Sequence, residues 1–224
     1  MEFQDKVVFI SGAGRGAGRQ LAETFAAQGA RLALNDISPQ NLETLSADLR
    51  QRGFNNIKTY VEDIAKKVAV QALIKQVEDD YGRLDILINH ASVEPHIPLL
   101  DMDEWDWHRT LDVNLTGAFL ALQSAGRIMR EHGGGVIVNI ASLSGGTVVL
   151  DRAAYVSSIF GLMGLTRQAA RELFTYGIRV HAVGRGLGRF QNTGTTVPAD
   201  LSRAVLFLCS PRAEHLTGHI VNMP

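Results

Sequence analysis

Seven short runs of aliphatic and β-branched residues recur along the chain, at 6–11 (KVVFIS), 31–35 (RLALN), 57–61 (IKTYV), 85–89 (DILIN), 135–141 (GVIVNIA), 179–183 (RVHAV) and 219–223 (HIVNM). Most are nearly continuous in apolar residues rather than alternating, the pattern of strands covered on both faces of a parallel sheet. Between them, apolar positions recur with helical period over 16–28, 39–52, 66–81, two segments across 103–131, 152–176 and 199–209. Ser38 before Pro39 places a good N-cap ahead of a proline at the first helical position. Strands alternating with helices through right-handed crossovers predict an α/β fold, a doubly wound and mostly parallel sheet of about seven strands flanked by helices. No repeat, low-complexity tract or linker interrupts the pattern, so residues 1–224 are read as a single domain.

Composition narrows the class. Hydrophobic residues make up 46% and charged residues 20% of the chain, the balance of a soluble globular protein. No apolar run approaches the roughly 20 residues needed to span a bilayer, and the opening Met1-Glu2-Phe3-Gln4-Asp5-Lys6 mixes charges where a signal peptide would be basic and then apolar. A cytoplasmic location without a membrane partner is the expectation. The 22 basic and 23 acidic side chains are intermixed, which leaves no electrostatic footprint for nucleic acid. The one cysteine, Cys209 in AVLFLCS, reads as an inert core thiol, and no metal site is expected.

Candidate chemistry begins where the first strand ends. Ser11-Gly12-Ala13-Gly14-Arg15-Gly16-Ala17-Gly18 leads from that strand into a helix. Glycines there allow a tight turn and the approach of backbone N–H groups to a diphosphate, while the helix N-terminus adds partial positive charge. The order of strand, glycine loop and helix predicts dinucleotide binding through Gly12, Gly14, Arg15, Gly16, Ala17 and Gly18. Asp36 ends the second strand, 18 residues beyond Gly18. A carboxylate there accepts hydrogen bonds from the adenosine ribose hydroxyls and repels a 2′-phosphate. Arg15 points the other way, since a cation in the loop pairs with that phosphate. Asp36 carries more weight, so NAD is expected over NADP.

With these features in place the chain resembles the short-chain dehydrogenase/reductase family over nearly its whole length. The family's T-G-x-x-x-G-x-G loop is matched by Ser11 to Gly18, and its adenine-contacting aspartate by Asp63, followed by Ile64. Its N-N-A-G segment is matched in part by Asn89-His90-Ala91-Ser92. The family's catalytic asparagine, serine and tyrosine align with Asn114 in LDVNLTGAF, Ser142 in IVNIASLSG and Tyr155 in AAYVSSI. The resemblance implies a Rossmann fold and reduction of a carbonyl, or oxidation of a secondary alcohol, in a small molecule. Tyr155 would then be the acid/base, Ser142 the hydroxyl that orients the oxygen, and Asn114 the residue that positions a relay water. It also implies a homodimer or homotetramer formed through the helices near 103–131 and 152–176.

Departures from the family pattern gather at the other end of the expected cleft. The lysine of Y-x-x-x-K is Ile159, the asparagine of the sixth strand is His181, and the proline of the following P-G turn is Arg185. Only 15 residues run from Gly184 to Pro198, where family members carry a longer substrate lid, and the usual D-G-G near the end is Asn222-Met223-Pro224. In the family the lysine holds the nicotinamide ribose and lowers the tyrosine pKa. A free phenol titrates near pH 10, so about 0.1% is phenolate at neutral pH without help. Two readings follow: an oxidoreductase with an impaired hydride-transfer site, or a non-catalytic dinucleotide-binding protein acting as regulator, sensor or oligomer partner. Arg185 beside the nicotinamide is the best stand-in cation; otherwise it is a solvent-facing loop arginine. His90 either lines the cofactor cleft or is a hydrogen-bonded structural histidine, and His181 is expected to be hydrogen-bonded within its strand. Trp105 and Trp107 lie two apart and cannot share a helical face. Trp105 is read as core, and Trp107 is left open.

Overall fold

The computed structural model describes residues 1–141, 150–185 and 199–223. Seven strands, β1 (Val7–Ser11), β2 (Arg31–Asp36), β3 (Ile57–Val61), β4 (Ile86–Asn89), β5 (Gly135–Ile140), β6 (Ile178–Arg185) and β7 (Ile220–Met223), form one sheet. Their order is β3-β2-β1-β4-β5-β6-β7, and every pairing is parallel. The helices are α1 (Gly16–Ala27), α2 (Pro39–Gln51), α3 (Lys67–Tyr81), α4 (Glu104–Leu111), α5 (Ala118–Glu131), α6 (Ala153–Leu173) and α7 (Ala199–Cys209). None among the described residues is long and apolar enough to cross a membrane.

The continuous apolar runs have a direct cause. Along β1, Val8 and Ile10 join a core cluster with Leu21, Phe25 and Leu45 from α1 and α2, while Val7 and Phe9 join one with Leu73, Ile74 and Ala121 from α3 and α5. Both faces of the sheet are covered, so both side-chain parities must be apolar. At the start of α2 the Ser38 hydroxyl accepts the Asn41 N–H at 3.3 Å, as its sequence position predicts. Cys209 is buried at the end of α7, and burial pushes its thiol pKa up to about 12.

The two helical segments expected across 103–131 are α4 and α5, joined without a loop by a π-helical turn, Asp112–Gly117. Two expectations need correction. Trp105 is 69% exposed rather than core, because α4 is short and buries fully only Thr110, while Trp107 is half-buried. His181 is buried, yet neither ring nitrogen has a hydrogen-bond partner among the described residues; its ring centroid lies 6.0 Å from that of His219.

Topology positions the site. The chain leaves β1 toward β2 and β3, then returns to β4 on the other side of β1, so the connections diverge at the C-terminal ends of β1 and β4. A crevice opens at such a switch point.

Candidate active site and dinucleotide cleft

A cavity of about 730 Å³ occupies that crevice, and nine of the residues singled out from sequence line it: Gly12, Arg15, Gly16, Ala17, Asp36, Asp63, Ile64, His90 and Ala91. The glycine loop is shaped by close approaches. Gly12 has φ +64°, and a Cβ on it would lie 2.8 Å from the Ala91 Cα; one on Gly18 would lie 2.2 Å from the Gly12 carbonyl oxygen. Neither position admits a side chain, so the backbone can fold tightly beneath the start of α1. The Ser11 hydroxyl ties the two sides of the crevice together, accepting the His90 and Ala91 N–H groups at 3.1 and 3.2 Å.

Asp36 sits buried at the tip of β2. Its Oδ2 accepts the Gly14 N–H and its Oδ1 the Ser38 N–H, both at 2.9 Å. Each carboxylate oxygen has a second lone pair, so these bonds orient the group without exhausting it. Asp63 is held in the same manner, Oδ1 accepting the Ala65 N–H at 3.0 Å and Oδ2 the Arg109 guanidinium at 2.9 Å. Arg109 lines the cavity too, and nothing local in the sequence singles it out, since its partner is 46 residues away. Arg19, also on the cavity wall, is paired with Glu23 and Asp48, whereas Arg15 has no ion pair among the described residues.

His90 combines both roles considered for it. Its Nδ1 lies 3.0 Å from the Gly12 carbonyl oxygen, and the residue lines the cavity. Burial pulls its pKa below the usual histidine value; the hydrogen bonds to Gly12 and Ser11 and the charge of Asp36 oppose that, and Arg15 adds to it.

Asn89, by contrast, turns away from the cavity. Its buried Nδ2 donates to the Ala118 carbonyl at 3.2 Å and to Asn139 Oδ1 at 2.9 Å, and Asn139 donates on to Thr166 at 2.8 Å. This chain of side chains braces β4, β5 and α6 beneath the crevice. Gly14 and Gly18 also serve by packing and are not part of the cavity wall.

Beyond the cavity the π turn carries Asn114 inward. Its Oδ1 accepts the Val93 N–H at 2.8 Å, and its Nδ2 donates to the Val93 carbonyl at 2.9 Å and to Ser158 Oγ at 3.0 Å. Ser158 in turn donates to the Tyr155 carbonyl at 2.6 Å. Ser158, which sequence reasoning passed over, therefore joins the Asn114 turn to the turn that bears Tyr155. Tyr155 is 6% exposed and Ile159 1%, and they share an apolar cluster with Ala118, Ala141 and Leu162. Ser142, the side chain of Arg185 and the segment proposed as a short lid lie outside the described residues.

Comparison with known proteins agrees with this geometry. Residues 6–198 match the family model described as short chain dehydrogenase. An uncharacterized oxidoreductase of Thermotoga maritima is 33% identical over 247 aligned residues, covering 100% of this chain and 97% of the relative. A D-threitol dehydrogenase of Mycolicibacterium smegmatis is 35% identical, covering 95% of this chain and 89% of its own. Among solved structures, a short chain dehydrogenase from Mycobacterium smegmatis superposes with a TM-score of 0.92 at 32% identity, covering 100% of this chain and 93% of that one.

Proposed function

The chain belongs to the short-chain dehydrogenase family, and from that premise we propose that it binds NAD(H) and acts on a small carbonyl or alcohol with its proton-transfer step weakened by Ile159. Members of the family use nicotinamide dinucleotides, NAD or NADP. The cradle around Gly12 and Gly18 and the unspent acceptor capacity of Asp36 fit such a group. When bound, the dinucleotide donates or accepts the hydride. The loop N–H groups and the start of α1 bind the diphosphate, Asp36 accepts the adenosine ribose hydroxyls and disfavours a 2′-phosphate, and Asp63 faces the adenine.

At the reaction end, Tyr155 passes the proton to or from the substrate oxygen, Ser142 orients that oxygen, and Asn114 positions water. The observation that carries the reading is the buried apolar cluster that Tyr155 and Ile159 share. One helical turn from Tyr155 the chain has isoleucine where the family pattern has the lysine that favours phenolate. A neutral phenol still donates a proton, so carbonyl reduction survives better than alcohol oxidation, which needs the phenolate. Loss of tuned acid–base catalysis costs about 10²–10⁴ in rate. Turnover of NADH against a panel of ketones, beside NAD turnover with the matching alcohols, tests this. Equal rates in the two directions would refute it.

A second reading, a non-catalytic dinucleotide-binding protein, draws support from the same cluster: its packing around Ile159 serves stability as well as it serves chemistry. Dinucleotide binding with no turnover in either direction favours that reading. Self-association through α5 and α6, as homodimer or homotetramer, is supported by exposed Phe119, Phe160 and Phe174 on those helices and at the end of α6. Sedimentation analysis checks it, a monomer at micromolar concentration being the contrary result.

A further inference from the structure

His90 stands where the family pattern has asparagine, and its surroundings give it a use beyond bracing. The Gly12 carbonyl can only accept a hydrogen bond, so the Nδ1 facing it at 3.0 Å carries the proton. In the neutral ring Nε2 then bears a lone pair, and it has no hydrogen-bond partner among the described residues. The ring lies against the start of α1, where a Cβ on Gly18 would come within 2.7 Å of Nδ1, and the residue lines the cavity. It is therefore an ionisable group packed directly under the glycine loop, with one nitrogen already ordered and the other free to take a proton.

The neighbouring charges decide what that proton does. Asp36 from β2 and Arg15 from the loop act on the ring in opposite senses. On the cavity walls Arg19 is neutralised by Glu23 and Asp48, Arg109 by Asp63, and Glu62 adds a further carboxylate. The cavity thus offers a diphosphate little unpaired positive charge besides Arg15. We propose that His90 is a proton-linked binding residue: when the diphosphate of a dinucleotide fills the glycine loop, His90 takes up a proton from solvent at Nε2, so that affinity rises as pH falls from 8 to 6. This rests on the dinucleotide reading of the cleft. In the free protein burial keeps the ring neutral near neutral pH; a bound dianion restores the charged form, and each unit by which it raises the ring's pKa gives up to about tenfold in affinity at low pH.

Isothermal titration of NAD, ADP-ribose and adenosine, each at pH 6 and pH 8 in two buffers of different ionisation enthalpy, tests the inference. NAD and ADP-ribose should each take up a substantial fraction of a proton at pH 6 and almost none at pH 8, with affinity several-fold higher at pH 6. Adenosine, which lacks the diphosphate, should take up none. The His90→Asn and His90→Gln variants should both lose the uptake and the pH dependence. The same proton count in parent and variants, or in adenosine and NAD, overturns the inference while leaving dinucleotide binding intact. No binding of NAD or ADP-ribose at either pH overturns the dinucleotide reading and the inference together.

Discussion

The two ends of the crevice are built from different materials. At the end lined by Asp36 and Asp63, where the proposal puts the adenosine, polar groups are held by other polar groups: Asp36 by two backbone N–H donors, Asp63 by Arg109 and Ala65, Gly12 by His90. At the reaction end Tyr155 is embedded among Ile159, Leu162, Ala118 and Ala141. The first arrangement is oriented for a polar ligand before any ligand arrives; in the second, among the described residues, apolar side chains pack around the tyrosine. On the proposed function, binding and chemistry should be separable, so that changes at one end leave the other nearly untouched.

The strongest way to break the comparison is at the loop. Gly18→Ala places a Cβ against the Gly12 carbonyl and the His90 ring, and dinucleotide affinity should fall at least about 100-fold, or about 2.7 kcal/mol. Calorimetry on protein whose fold is verified by circular dichroism reads this directly; a loss below threefold would mean that the loop does not bind the diphosphate.

Ile159→Lys probes the other end. It sets an ammonium one turn from Tyr155, on the same helical face, and should raise turnover roughly 10²–10³-fold, more for alcohol oxidation than for carbonyl reduction, with affinity for NAD little changed. The gain should vanish when Tyr155→Phe is added. Because the position is 1% exposed within an apolar cluster, the variant should also be destabilised by about 1–3 kcal/mol, measurable by urea denaturation. A folded, NAD-binding variant without new activity would favour the non-catalytic reading.

His181 lies in β6, on the reaction-end half of the sheet, and affects the fold rather than the ligand. Burial lowers its pKa to about 4, while the unfolded chain takes up the proton near pH 6.5. Stability is therefore full above pH 6.5 and falls as pH drops toward 4, by about 2 kcal/mol between pH 7.5 and 5. His181→Asn should lose this dependence and keep its affinity for NAD, so parallel urea titrations at the two pH values decide the point.

The smallest expected change is one of selectivity. Asp36→Asn keeps an oxygen acceptor for the loop while removing the charge, whereas Asp36→Ala would also free the Gly14 and Ser38 N–H groups. The asparagine variant should narrow the preference for NADH over NADPH by about tenfold in relative affinity, or about 1.4 kcal/mol. A parent that already binds NADPH at least as tightly would assign control of the site to Arg15.

Much of this was legible from the chain alone, and for local reasons. Residues buried on both faces must be apolar at successive positions, so the strands announce themselves, and the Ser38-Pro39 cap and the glycine spacing are contacts within one turn. The misses have equally specific causes. Residue type alone points Trp105 to the core, but it says nothing about whether a neighbouring element covers its face. Asn89 is next to the cavity-lining His90 in sequence, yet its side chain bonds to Asn139 and Ala118 within the fold, and the strand parity that decides this depends on register.

Sequence by itself determined the strand–loop–helix order, the acidic tip of β2 and the apolar residue one turn after Tyr155, because each is a matter of residue type at short spacing. Tertiary structure alone decided that Arg109 meets Asp63 across 46 residues, that His90 meets Gly12 across 78, and that Asn114 closes on Val93 and Ser158. Those contacts depend on the switch between β1 and β4 and on the π turn. Hydrophobic periodicity states which face of an element is buried, but the partner that face meets is set only when distant segments pack, because polar side chains select their partners from whatever the packing brings within about 3 Å.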